Sequence, residues 1–108
     1  CSIFRDACLA IHHLHSQMPP IAHRDLKVEN LLFGLDGHIK LTDFGSSSTE
    51  HGVWTNIREI KLKEEDISKH TTLAYRSPEQ VDLYLHKKVS EKVDIWALGV
   101  LLFVLTTE

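Results

Sequence analysis

Two carboxylates, an amide and an ammonium stand at spacings that suit work on a phosphate. Asp25, Lys27 and Asn30 fall within HRDLKVEN, residues 23–30, just ahead of the apolar run LLF. Asp43 follows a second apolar run, HIKL. Asp25 and Asn30 bracket one tight loop before a strand, and Asp43 ends the next strand. A hairpin that folds back would return Asp43 toward Asn30 and gather all four groups at one rim. Oxygen ligands of this kind suit Mg²⁺, which keeps waters and prefers few protein ligands plus phosphate oxygens. Phosphoryl transfer needs such a set: a metal to neutralise phosphate charge, a cation near the transferred group, and a carboxylate to orient the attacking hydroxyl.

The elements that must position these groups can be read from periodicity. Phe4, Ala7, Cys8, Ile11 and Leu14 recur at helical spacing, and Pro19-Pro20 stops that helix. LLF and HIKL flank GLDG, which predicts a β-hairpin. From Asp43 to about His70 the periodicity is poor. Ser46, Ser47 and Ser48 are consecutive and KLKEEDISK is highly charged, so a long surface segment is expected, with a helical turn near Glu64. SPEQVDLYL predicts a short helix with Pro78 at its first position, where the missing N–H costs nothing. Ser90 is the expected N-cap of a second long helix, with Glu91 in its first turn. That helix is apolar nearly all round and should be enclosed by protein. Two other helices are too few to enclose it, so the order of elements does not close a domain by itself. The chain starts in a running helical pattern and ends directly after an apolar helix, and both ends are expected to be interior to a longer domain.

Composition sets wider bounds. The 108 residues are enough for one small domain, and a formal net charge of −3 points away from nonspecific nucleic-acid or anionic-membrane binding. The longest apolar stretch, Ile95 to Leu105, is shorter than the ~20 residues that cross a bilayer, so no transmembrane segment is expected. No signal peptide is recognisable at the N-terminus. Cys1 and Cys8 are too few for a disulfide framework and read as reduced thiols. His12 and His15 lie three apart on a helix, but two histidines without a Cys or carboxylate partner are a poor metal site.

HRDLKVEN, DFG at Asp43, Phe44 and Gly45, SPE at Ser77, Pro78 and Glu79, and DIWALG at 94–99 together resemble the protein-kinase signature set, in order and at kinase-like spacing. The fold class implied is α+β, a partial kinase C-lobe: helix, catalytic loop, hairpin, long activation segment and buried central helix. Residues 1–108 would be a fragment of one kinase domain, with the N-lobe and the C-terminal helices absent. The cofactors implied are ATP and Mg²⁺. Asp25 would orient or accept the proton of the substrate hydroxyl, Lys27 would stabilise the transferred phosphoryl group, and Asn30 and Asp43 would hold Mg²⁺. Lys27 with Thr72 ahead of SPE is similar to Ser/Thr kinases, where Thr72 would brace Asp25 and Lys27. His23 and Phe44 would be packed spine residues, and Asp94 a buried acceptor for catalytic-loop N–H groups.

A finer likeness joins HRDLKVEN, TTLAYRSPEQVDLY, DIWALG and the long segment from Asp43 to Glu79. It resembles the Numb-associated kinase family, which includes adaptor-associated, cyclin-G-associated and yeast actin-regulating kinases. It implies a cytoplasmic enzyme, peripheral at endocytic membranes in the full-length protein, that phosphorylates endocytic proteins such as clathrin-adaptor subunits. Ser77 departs from the usual Ala of the signature, a small change. Arg24 leaves two readings open: a carboxylate from Glu64, Glu65 or Asp66, or a phosphate on Ser68, Thr71 or Ser46–Ser48. Glu79 is expected to be unpaired here, since its usual Arg partner would lie beyond Glu108. The Gly-rich loop, the strand Lys, its Glu partner and the hinge lie outside these residues, so the isolated chain is expected to be inactive. A pseudokinase or scaffold module, or a non-functional truncated product, are the alternatives.

Overall fold

A computed structural model describes residues 2–107, so Cys1, read above as a reduced thiol, and Glu108 lie outside the described residues. Four helices and one small sheet make an α+β unit. Helix α1, Ser2–His15, buries Ala7 and Ile11 at the expected spacing and ends four residues before Pro19. Strands β1, Leu31–Phe33, and β2, Ile39–Leu41, pair antiparallel with Leu31 opposite Leu41. Gly37 supplies the left-handed residue of the connecting turn at φ 81°, where a side chain would be strained. Asp6 of α1 accepts the Ile39 N–H at 3.0 Å and so ties the hairpin to the helix.

The charged stretch after the hairpin is more ordered than its periodicity suggests. Where a surface segment with one helical turn was expected, helix α2 runs fourteen residues, Ile57–His70. Asn56 caps it by accepting the N–H groups of Arg58 (2.8 Å) and Glu59 (3.4 Å). Ile60 and Ile67, two turns apart, are the only residues that α2 buries fully, and two are too few to show as a period. Helix α3, Pro78–Val81, starts at the expected proline and is capped by Ser77 and Gln80. Gln80 Oε1 accepts the Ser77 N–H at 3.0 Å. A 3₁₀ turn, Leu83–Leu85, continues it after a break at Asp82.

Helix α4, Val93–Thr107, begins three residues after Ser90, whose Oγ accepts the Lys92 N–H in a tighter lead-in turn. It joins two apolar clusters. Ala97, Leu98 and Leu101 pack with Ala7, Ile11 and Leu26. Val93 packs with Ala22, Ile60, Ile67, Leu83 and Val89. Enclosure is not complete, however. Ile95, Trp96 and Phe103 stay about half or more exposed, because α1 and the turn at 73–75 cover only one side of α4. At 19 Å in its shortest dimension the molecule is about two helices thick. Among the described residues no helix is long and apolar enough to cross a membrane. Cys8 is free and partly buried, and that burial pushes its thiol pKa up.

Candidate active site

The loop between α1 and β1 is held from below by one carboxylate. Asp94, 1% exposed, accepts the backbone N–H of His23 at 2.7 Å and that of Arg24 at 3.0 Å. His15 Nε2 lies 2.9 Å from the same Oδ2. A buried carboxylate needs several donors, and here it has three. Arg24 sits at φ 72°, an unusual backbone for a residue with a side chain, and the Asp94 bond helps to hold it there. His15 was read from the sequence as a weak metal candidate. Its partner lies 79 residues away, so no local spacing could have assigned it.

His23 is fully buried and links the loop to the hairpin. Its Nδ1 accepts the Asp25 N–H at 3.2 Å, so the ring proton sits on Nε2, which donates to Thr42 O at 3.0 Å. Phe44 stacks edge-on against His23 with centroids 5.2 Å apart, but it remains 50% exposed. One face of Phe44 thus packs on His23, and among the described residues its outer face is uncovered.

Asp25, Lys27 and Thr72 come together. The Thr72 hydroxyl donates to Asp25 Oδ1 at 2.9 Å and accepts from Lys27 Nζ at 3.1 Å. Lys27 Nζ is also 3.8 Å from Asp25 Oδ1. One hydroxyl thus spends its proton on the carboxylate and a lone pair on the ammonium, fixing both. Asn30 Nδ2 donates to Asp25 O at 2.7 Å and only weakly to Asp25 Oδ2, at 3.4 Å.

The strand register runs on past Leu31–Leu41, with Thr42 N–H bonded to Asn30 O at 2.9 Å, so Asp43 is the next residue after Asn30's partner. Asp43 has φ 61° and is exposed, as is Gly45 beside it. Among the described residues neither the Asn30 amide oxygen nor the Asp43 carboxylate takes part in a side-chain hydrogen bond. Two uncommitted hard oxygens on adjoining backbone suit a divalent cation such as Mg²⁺.

Of the acidic residues offered to Arg24, it is Asp66 that meets it. Arg24 Nη1 donates to Asp66 Oδ2 at 2.8 Å, and its Nε donates to Ser46 O at 2.6 Å. Partial burial opposes ionisation of Asp66, yet the Arg24 hydrogen bond and the charges of Arg24, Lys63 and His70 hold its carboxyl below the usual range. Glu79 is partly buried, and no ion pair reaches it among the described residues. It borders an apolar groove on the open side of α4 with Lys92, Trp96 and Phe103.

The family description "protein kinase domain" matches residues 1–108. A probable serine/threonine-protein kinase of Dictyostelium discoideum is 52% identical over 102 residues, covering 94% of this chain and 9% of that protein. A second from the same organism is 50% identical over 103 residues, 94% of this chain and 13% of that protein. Serine/threonine-protein kinase AKL1 of Saccharomyces cerevisiae is 45% identical over 101 residues, 94% of this chain and 9% of that protein. The chain therefore spans about a tenth of the length of these relatives. With a buried carboxylate under the loop and a hydroxyl bridging Asp25 to Lys27, the whole chain belongs to the protein kinase domain family.

Proposed function

We propose that these residues form the catalytic-loop and activation-segment part of a Ser/Thr kinase domain that transfers the ATP γ-phosphoryl group to protein Ser and Thr hydroxyls. The Thr72 bridge between Asp25 and Lys27 carries this reading. It leaves Asp25 Oδ2, touched only weakly by Asn30 Nδ2, to accept the proton of an incoming hydroxyl, and it keeps the Lys27 ammonium beside the same carboxylate. A cation there offsets negative charge on the transferred group. Asn30 and Asp43 would hold Mg²⁺, which neutralises phosphate charge when bound with ATP. These residues span about a tenth of the length of the curated relatives, and the isolated chain is expected to be inactive.

The finer reading is a Numb-associated kinase, cytoplasmic and peripheral at endocytic membranes, with protein substrates such as clathrin-adaptor subunits. The motif likeness and the long segment from Asp43 to Glu79 support it.

The test is phosphate transfer from Mg²⁺-ATP to Ser/Thr peptides by the full-length protein. Asp25→Asn is expected to lose about 10³-fold or more in kcat, as removal of a general base and orienting group does. Thr72→Ala is expected to lose about 10–100-fold, for a shift of the catalytic pair, while Thr72→Ser retains most activity. An inert wild type, or an Asp25→Asn protein as active as wild type, sinks the reading.

A further inference from the structure

We propose that the cavity beside the catalytic loop, lined by Val28, Glu29, Tyr75, Val104 and Leu105, receives one flanking residue of the protein substrate and selects a long, uncharged side chain there. Val104 of α4 is the specificity-determining residue. The cavity measures about 510 Å³, within the size range of ligand sites. Its place relative to the acceptor follows from the loop. Val28 and Glu29 lie between Lys27 and Asn30. Tyr75 closes the turn that begins at Thr72, its N–H donating to Thr72 O at 2.9 Å. Val28 is three residues from Asp25, at most about 11 Å of extended chain. A peptide whose hydroxyl meets Asp25 therefore passes the cavity within about three residues of its acceptor.

The walls decide what fits. Tyr75 and Leu105 pack against the apolar cluster that joins α1 to α4, so this side of the cavity is firmly held. Val28 and Val104 add aliphatic surface, Val28 exposed and Val104 partly buried. Of the five lining residues only Glu29 is charged, and it is exposed. An exposed ion pair at a rim contributes little, whereas covering an aliphatic stem contributes in proportion to its area. A guanidinium or ammonium would meet one solvated carboxylate and lose water against Val104 and Leu105. A carboxylate would face Glu29 as a like charge. Leu, Met and Gln present a stem to these walls without either cost. This inference rests on the kinase reading, whose acceptor site it extends.

The probe is a set of Ser/Thr peptides that differ at one position at a time, up to three residues on either side of the acceptor, carrying Ala, Leu, Gln, Arg or Asp. The full-length protein with Mg²⁺-ATP is used, and kcat/KM is read for each peptide. At one position Leu and Gln are expected to exceed Asp by about tenfold or more, and Arg by about threefold or more. Val104→Glu should reverse the order of Arg and Leu there, changing their ratio about tenfold or more, while the peptide with Ala stays within about threefold of wild type. Val104→Ala trims the wall without adding a charge, and it should lower the Leu-to-Ala ratio about threefold even if Val104→Glu fails to fold. Arg preferred to Leu by the wild type, no preference at any position, or a preference that no folded Val104 variant shifts overturns the proposal and leaves phosphoryl transfer standing. If the wild type phosphorylates none of the peptides, the kinase reading fails and the proposal falls with it.

Discussion

Replacing Asp94 by Ala should loosen the catalytic loop far more than a surface change would. The substitution removes the acceptor of two backbone N–H groups, His23 and Arg24, and the partner of His15. Both oxygens lie within a residue that is 1% exposed, so water does not replace them in the folded protein. A buried donor left without an acceptor costs about 1–3 kcal/mol, so two cost about 2–6 kcal/mol together. That is a large share of the 5–15 kcal/mol that holds a typical domain together. Because tenfold corresponds to about 1.4 kcal/mol, the His23 and Arg24 amides should exchange with solvent at least about 30-fold faster than in wild type. Asp94→Asn keeps one acceptor but turns an NH₂ toward a backbone N–H, so about half of the effect is expected. Amide exchange of the full-length protein, read at His23 and Arg24, measures this directly. Rates within about threefold of wild type in Asp94→Ala would refute the claim that this carboxylate holds the loop.

Three further outcomes are expected. Asn56→Ala removes the acceptor for Arg58 and Glu59 N–H and should destabilise α2 by about 1 kcal/mol, seen as faster exchange over its first turn with little change in α1. Asp66 has a folded pKa below its unfolded value, so its stabilisation is complete above about pH 4, the unfolded carboxylate range, and is lost as pH falls through the folded value. Exchange over α2, corrected for intrinsic rates, should therefore rise as the pH is lowered below about 4, and Asp66→Asn should flatten that rise. Cys8, its thiol pKa raised by burial, should react with iodoacetamide at pH 8 more slowly than a free cysteine, and denaturation should abolish the difference.

Legibility in the sequence followed the length scale of each interaction. Helix α1 and the hairpin could be read because their signals, the spacing of Phe4 to Leu14 and the Asp36-Gly37 turn, are local. The site residues Asp25, Lys27 and Asn30 could be gathered because they share one loop. Helix α2 was missed because only Ile60 and Ile67 face inward among many charges. Its start signal was nonetheless present: Asn56 followed three residues later by Glu59. For Arg24 the sequence left open a loop phosphate or one of three acidic residues, and it could not single out Asp66, since that choice depends on which face of α2 turns inward. For His15 nothing nearby helped, and only the three-dimensional path of α4 reveals its partner.

That long path also has a consequence for how the protein is made. His15 and Asp94 are separated by 79 residues, so at typical rates of ~5–20 residues per second the ribosome emits the histidine about 4–16 s before its carboxylate. During that interval the His23 and Arg24 amides have no acceptor but water. The loop between them and Asn30 is rich in charge and stays solvated, which suits a segment that must wait while α2 and α3 are still being synthesised. The loop thus gains its Asp94 acceptor only once α4 has been made, and slow codons between Ile67 and Asp94 would lengthen the nascent chain's exposure.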